Sequence, residues 1–206
     1  MLILASGSKN RIAGLTLARI PFISQAADID EKAIQHDDIK KRVIQVARAK
    51  VEKVVADGVK LPPPDIFADE VIEADSDHLI LGADGVNIVR GKIMEKPQDE
   101  SEAFDMIKAQ SGQTCSFLTG YFCFSTATKK TYQGTSETLY TFREVSDHEI
   151  HAYCNTEPVL TWAAAFSPGN SMAISFITTI KGSYSGFSHS LPFDKLIPIF
   201  KKEGIL

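Results

Sequence analysis

Residues 78–84 read HLILGAD and form the clearest buried strand of the chain. A short apolar run bounded by polar residues is typical of a strand that is covered on both faces. We predict that this strand ends at Asp84. Open α/β sheets bind ligands at the carboxyl ends of such strands, so Asp84 is a candidate site residue. Residues 1–5, MLILA, form a second apolar run of the same kind, and the loop from Ser6 to Arg11 follows it.

The rest of the chain alternates between strand and helix patterns. The best helix is predicted for residues 38–56, where apolar residues recur at the helical period and form one stripe. The other predicted elements are a helix that ends at about Arg19, a strand over residues 21–27, a hairpin over 86–94, a helix from Asp99 to Gly112, strands within 114–142, a short helix from Ser146, a strand over 171–180 and a helix over 192–202. This mixture favours an α/β protein with one main sheet.

The composition is that of an ordinary globular protein. The 206 residues are 44% hydrophobic and 23% charged, which argues against disorder and coiled coil. The net charge of −4 shows no overall excess of basic residues, which proteins that bind duplex nucleic acid usually have. The three cysteines form no CxxC pair, so we expect free thiols in a reducing cytoplasm. The sequence shows no signal peptide and no apolar run long enough to span a membrane.

We predict a single domain over residues 1–206. Residues 58–78 interrupt its regular pattern, because the three consecutive prolines at 62–64 forbid a helix and six acidic residues follow them. A solvated surface loop is the favoured interpretation of this segment, and a lid is the alternative.

Several common catalytic motifs are absent from the sequence. The chain has no GxGxxG, and its nearest match to a phosphate-binding P-loop has the wrong spacing and ends in Ile93 instead of Ser or Thr. A run that otherwise resembles GxSxG has Tyr184 in place of the serine. His148 and His151 lack the HExxH order of zinc proteases and are interpreted as surface residues. Dehydrogenase, P-loop, serine-hydrolase and zinc-protease chemistry therefore lose support.

The loop from Ser6 to Arg11 has the residue types of a phosphate site. It combines two serines, a glycine, a helix start and an arginine. Backbone N–H groups at a helix N-terminus attract phosphate, and arginine donates paired hydrogen bonds to it. We therefore interpret Ser6, Ser8 and Arg11 as candidate phosphate contacts. A simple helix-capping loop is the alternative interpretation.

Lys50 lies in the middle of the apolar stripe of the helix predicted for residues 38–56. An unpaired buried charge is costly, so the ammonium group needs either an acidic partner or a path to water. Pairing with an acid and snorkelling to the surface both satisfy this requirement.

Two acidic residues at predicted strand ends and a lysine after the hairpin are further candidate site residues. Glu31 follows the strand over 21–27, Asp84 ends the strand over 78–83, and Lys96 comes after the hairpin. A solvated turn and a surface lysine are the alternative interpretations of Glu31 and Lys96. Mg²⁺ takes one or two carboxylates plus phosphate oxygens, cations offset phosphoryl charge, and a carboxylate can deprotonate an attacking water. The combination predicts hydrolysis of a phosphoanhydride.

A series of short motifs runs along nearly the whole chain. They are Leu4–Ser8 with Arg11, Ile29–Glu31, Ala47–Lys50, Gly82–Asp84, Gly91–Pro97, Ser111–Gly112 with Thr119–Gly120, Phe142–Arg143 with Ile150 and Tyr153, Glu157–Pro158, Gly182–Ser183 and Leu191–Pro192. In this order they resemble the signatures of the Maf family of nucleoside triphosphate pyrophosphatases.

The resemblance implies an elongated, twisted mixed sheet flanked by helices, with two lobes around a cleft, as in inosine triphosphate pyrophosphatases. It implies a homodimer. It also implies a house-cleaning reaction that converts a nucleoside triphosphate to the monophosphate and pyrophosphate with Mg²⁺ or Mn²⁺.

By position in the motifs, Asp84 matches the family's catalytic carboxylate and Glu31 matches a second active-site acid. These two acids are the metal ligands that the resemblance implies. The positions that match phosphate contacts are Ser6, Ser8, Arg11, Lys50 and Lys96. The resemblance also implies that Lys96 is a catalytic residue.

Three positions depart from the family pattern, namely Asn10, Gly85 and Gly169. They fall where the branch that hydrolyses dTTP and UTP differs from the branch that prefers 7-methyl-GTP, so the base preference stays open. The loss of these side chains motivates an alternative function, a catalytically weak nucleotide-binding regulator linked to septum formation. A phosphosugar phosphatase is a third hypothesis.

Overall fold

A computed structural model of the chain describes residues 1–60, 77–168 and 172–206. Most of the acidic segment 58–78, together with Gly169, lies outside the described residues. Within the described part, seven strands form one mixed sheet that helices flank, so the predicted α/β class is confirmed.

The strands are β1 (Leu2–Leu4), β2 (Phe22–Ser24), β3 (Leu79–Val89), β4 (Lys92–Met94), β5 (Thr114–Ser125), β6 (Thr131–Phe142) and β7 (Ile177–Lys181). Their order across the sheet is β2-β1-β3-β5-β6-β7, and β4 pairs with β3. Strand β1 is parallel to both β2 and β3, whereas β4 and β7 are antiparallel to their partners.

The helices are α1 (Lys9–Leu17), α2 (Ile39–Asp57), α3 (Glu100–Gln110), α4 (Asp147–Thr156), α5 (Tyr184–His189) and α6 (Phe193–Lys202). The predicted helix starts at Asp99 and Ser146 are confirmed, since these residues are the N-caps of α3 and α4. Asp99 accepts a hydrogen bond from the backbone N–H of Glu102, and Ser146 and Glu149 form a reciprocal capping box. None of the helices in the described ranges is both long and apolar enough to cross a membrane.

The predicted strand end at Asp84 is wrong, because β3 continues five residues further to Val89. The continuation is stabilised by β4, which pairs with its second half from Asn87 to Val89. The connecting turn at Arg90 and Gly91 has φ angles of 51° and 77°. Left-handed residues at both turn positions match the right-handed twist of a two-residue hairpin. Asp84 therefore lies within a strand rather than at its end.

Two other predicted strands are shorter than expected. Strand β2 ends at Ser24, and Glu31 begins a separate 3₁₀ turn, Glu31–Ala33. In the predicted strand 171–180, residues Met172–Phe176 form a 3₁₀ helix and only the following residues form β7. The 3₁₀ helix forms because Ala173 and Phe176 are both buried and lie three residues apart, which is the repeat of a 3₁₀ helix and not of a strand.

The chain divides into two compact units. The first comprises Met1–Asp84, Gly120–Thr135 and Phe193–Leu206, and the second comprises Gly85–Thr119 and Ser136–Pro192. Each unit has buried apolar residues of its own.

In the first unit, helix α2 lies directly against two strands because glycines leave room for its backbone. A Cβ atom at Gly82 of β3 would lie 2.1 Å from the carbonyl oxygen of Ala47, and one at Gly120 of β5 would lie 2.6 Å from the carbonyl carbon of Val43. No real Cβ is tolerated at such distances from backbone atoms. The GAD and TG motifs therefore position α2, which carries Lys50.

In the second unit, two neighbouring alanines hold a strained backbone. Ala164 and Ala165 have φ angles of 57° and 54°, and both are fully buried. The left-handed conformation costs an L-residue about 1–2 kcal/mol. Side chains from two helices fix it, because Gln110 Nε2 donates to the Ala164 carbonyl at 3.0 Å and the Tyr153 hydroxyl donates to the Ala165 carbonyl at 2.9 Å.

Tyr140 joins this turn to the core of the second unit. Its hydroxyl lies 3.0 Å from Asn87 Oδ1 and 3.0 Å from Gln110 Oε1, and its single proton serves one acceptor at a time. The ring is fully buried and stacks on Phe166. Tyr140 therefore provides a hydrogen-bond donor inside an otherwise apolar environment.

We expect Tyr140→Phe to lower the free energy of unfolding by about 1–3 kcal/mol, because two buried amide oxygens lose their donor. Urea denaturation followed by circular dichroism measures the change. Tyr184→Phe is the matched control, since Tyr184 is 63% exposed, and its expected effect is within about 0.5 kcal/mol. Equal stability of Tyr140→Phe and the wild type would show that the network is not stabilising.

Candidate active site

The loop after β1 brings a buried arginine to the edge of the sheet. Arg11, in the first turn of α1, is only 8% exposed, and its Nη1 donates to Ser6 Oγ at 3.0 Å. The same oxygen accepts the backbone N–H of Ser8 at 3.2 Å. Arg11 Nε has no hydrogen-bond partner among the described residues. A buried donor without an acceptor is costly, so Arg11 Nε is a candidate donor to a bound anion.

Glu31 reaches the same region from a different segment. It is the first residue of the 3₁₀ turn Glu31–Ala33, which Asp30 caps by accepting the backbone N–H groups of Lys32 and Ala33. The Glu31 side chain is 49% exposed. It therefore combines contact with the protein on one side and access to solvent on the other.

Lys50 connects the two acids. Its Nζ lies 3.0 Å from Glu31 Oε1 and 3.7 Å from Asp84 Oδ1, and it donates to the Ala83 carbonyl at 3.3 Å. Its side chain is only 7% exposed. Pairing rather than snorkelling therefore satisfies this lysine.

Arg11, Glu31, Lys50 and Asp84 together form what we call the charged cluster, all within the first unit. Burial lowers the pKa of Lys50, and the nearby Arg11 lowers it further, whereas Asp84 and Glu31 raise it. Burial likewise lowers the pKa of Arg11, and the same two acids oppose that shift. The two carboxylates thus keep two partly desolvated cations close together.

The remaining predicted site residues that the structure describes are divided between the two units. Lys96 and Gly85 belong to the second unit, where the Lys96 side chain is exposed. A Cβ at Gly85 would lie 2.7 Å from Phe117 Cζ and 2.8 Å from Ser190 Oγ, so these two side chains fill the space of a residue 85 side chain. Ser8 and Asn10 are half-buried in the first unit, and Gly169 lies outside the described residues.

One contributor was not predicted from the sequence. The carbonyl oxygen of Ala83 accepts a hydrogen bond from Lys50 and holds the ammonium against β3. No side-chain motif signals a backbone acceptor of this kind. Only the close approach of α2 to the strand at Gly82 brings it into reach.

Glu31 and Asp84 are the residues of the charged cluster that could hold a metal ion, and two carboxylates alone would not complete its coordination. In the described part of the chain, no three His, Cys, Asp or Glu side chains are grouped so that they could hold a metal ion. Glu31 and Asp84 face a common cation, Lys50, so both offer hard oxygen atoms to one region. This arrangement fits Mg²⁺ or Mn²⁺ that completes its coordination with phosphate oxygens and water.

Comparisons with known proteins give a consistent result. The model of the Maf-like protein family matches residues 1–201. The 7-methyl-GTP pyrophosphatase of Pseudomonas aeruginosa is 26% identical over 99% of this chain and 97% of its own length. The dTTP/UTP pyrophosphatase of Bacillus cereus strain AH187 is 30% identical over 99% of this chain and 96% of its own length. The chain therefore belongs to the Maf-like protein family.

Proposed function

We propose that this protein is a nucleoside triphosphate pyrophosphatase, which hydrolyses the bond between the α- and β-phosphates. The observation that carries the proposal is the charged cluster, in which a buried arginine and a buried lysine lie beside two carboxylates, and the arginine Nε has no hydrogen-bond partner among residues 1–60, 77–168 and 172–206. The relatives named 7-methyl-GTP pyrophosphatase and dTTP/UTP pyrophosphatase support it.

In the proposed reaction, the Asp84 carboxylate takes a proton from a water molecule. The water oxygen forms a bond to the α-phosphorus, the bond from that phosphorus to the bridging oxygen breaks, and pyrophosphate leaves with the bonding electrons. Arg11 donates hydrogen bonds to the phosphates, with Ser6 fixing its orientation. Lys50 offsets the charge that develops on the leaving group. For Lys96, a phosphate contact is proposed from its position in the family motif alone.

A bound Mg²⁺ or Mn²⁺ would polarise the phosphates and offset their negative charge, and Glu31 and Asp84 are the residues that would hold it. The charges of the cluster support this. Two cations and two carboxylates sum to zero, and a polyanion brought to them meets repulsion from both carboxylates. We therefore propose that the activity depends on a divalent metal.

The proposal also covers the base preference, the oligomeric state and the compartment. The base preference stays open, since the two relatives act on different bases by name. A homodimer is proposed from the resemblance. Three buried free cysteines support a reducing compartment, and we propose the cytoplasm. The alternative, a nucleotide-binding regulator without catalysis, is not favoured, because the charged cluster retains both acids and both cations.

Incubation with dTTP, UTP, 7-methyl-GTP and the other common triphosphates, each with Mg²⁺ or Mn²⁺, tests this function. We expect equal amounts of monophosphate and pyrophosphate from at least one of them, resolved by ion-exchange chromatography. A chelator should abolish the release. Binding without turnover on every nucleotide would favour the regulator, and orthophosphate released from sugar monophosphates would favour a phosphatase.

A further inference from the structure

Lys50 places a positive charge where Glu31 and Asp84 would share a metal ion. Its Nζ lies within 3.0 Å of one carboxylate and 3.7 Å of the other. Both acids therefore already face a cation that the chain itself supplies. A divalent ion bound between them would have this ammonium group as a close neighbour.

The ammonium group is fixed in this position. The side chain is 7% exposed, and its third contact is the Ala83 carbonyl at 3.3 Å, on a strand that no metal would displace. Its stem leaves α2 on the same buried face as Ala47, Val51 and Val54. Turning into solvent would cost Lys50 all three of these contacts, so a second cation in this partly desolvated region meets the repulsion of its ammonium group.

Arg11 adds to the same effect. It lies close enough to Lys50 to lower the pKa of that lysine, and its own side chain is buried. The charged cluster is formally neutral, so a bare divalent ion would leave it strongly positive. A metal bound to a triphosphate arrives instead with a net negative charge, because the triphosphate carries more negative charge than the ion carries positive charge.

We propose, on the basis of the function inferred above, that Lys50 is a resident counter-ion that keeps divalent metals off Glu31 and Asp84 until a triphosphate arrives. The metal then enters as the metal–nucleotide complex rather than ahead of the nucleotide. Lys50 thus has two effects of opposite sign, since it weakens binding of the bare metal and strengthens binding of the phosphates.

Mn²⁺ titration of the nucleotide-free protein, followed by electron paramagnetic resonance, measures this directly. We expect the wild type to bind Mn²⁺ weakly and Lys50→Met to bind it about tenfold or more tightly. Lys53→Met is the matched control, because it removes an exposed lysine from the same helix, and it should bind like the wild type. Adding Asp84→Asn to Lys50→Met should abolish the gain.

Lys50→Gln provides a second variant that retains a donor for the Ala83 carbonyl, and it should gain Mn²⁺ affinity in the same way. Circular dichroism shows that each variant is folded. The proposal is overturned if both neutral variants bind Mn²⁺ no more tightly than the wild type. It is also overturned if the wild type binds Mn²⁺ as tightly alone as it does with a non-hydrolysable triphosphate.

These outcomes are independent of catalysis, because the titration needs no turnover. A wild type that releases no pyrophosphate from any triphosphate refutes the function. If Lys50→Met nevertheless gains Mn²⁺ affinity, Lys50 is still shown to act as the counter-ion. Active wild type with no gain in either neutral variant refutes the counter-ion and leaves the function standing.

Discussion

Asp84→Asn is expected to lower kcat for pyrophosphate release by about a thousandfold, within the range that general bases contribute. The asparagine keeps the shape of the side chain but cannot accept the proton of the attacking water. The Asp84 side chain is 12% exposed and paired with Lys50, so few water molecules are close enough to accept the proton in its place. The KM for the metal–nucleotide complex should rise as well, because Asp84 is also one of the two proposed ligands of the metal that arrives with the nucleotide.

Steady-state kinetics with the best triphosphate of the panel measures both constants. Asp57→Asn is the control, since Asp57 is a partly exposed carboxylate of the same unit that pairs with Lys53, and its kinetics should match the wild type. Pyrophosphate release that survives Asp84→Asn would contradict the role of Asp84. A thermal melt of the variant separates loss of chemistry from loss of fold.

Gly82→Ala has the second largest expected effect. The new methyl group would lie 2.1 Å from the Ala47 carbonyl oxygen and 2.9 Å from Val51 Cγ2, so α2 must move away from β3. Overpacking of this kind costs about 1–3 kcal/mol and more where backbone must shift, and we expect a loss of about 3 kcal/mol. Since α2 carries Lys50, the displacement should also reduce activity in the folded fraction.

Urea denaturation tests the size of this loss. Gly7→Ala is the control for stability, because among the residues that the structure describes a Cβ there would meet Ala26 Cβ alone, at 3.3 Å, and it should cost less than about 1 kcal/mol. If Gly82→Ala were as stable as the control, the close approach of α2 to β3 would not be the reason for a glycine at this position.

Features fixed by local spacing could be predicted from the sequence. The helix over 38–56 follows from its apolar period and is observed as α2. The start of α4 follows from the spacing of Ser146 and Glu149, which form the capping box. Arg143, which belongs to a family motif, contacts the same helix start, because its Nη2 lies 2.7 Å from Glu149 Oε1.

Features that depend on distant partners could not be predicted. A polar residue after an apolar run predicted a strand end at Asp84, but β3 continues because β4 pairs with the residues beyond it. The wheel position of Lys50 predicted burial and an obligatory partner. It could not identify Glu31, Asp84 and the Ala83 carbonyl as its three contacts, because these come together only when α2 packs on the sheet.

Hydrolysis in water labelled with the heavy oxygen isotope distinguishes attack at the α-phosphorus from attack at the other phosphorus atoms, because the label marks the phosphorus atom that water attacks. We predict that mass spectrometry finds the label in the nucleoside monophosphate and none in pyrophosphate. Label in pyrophosphate would place the attack on the β-phosphorus, and label in orthophosphate would mean removal of the terminal phosphate. Either result would contradict a pyrophosphatase that acts at the α-phosphorus.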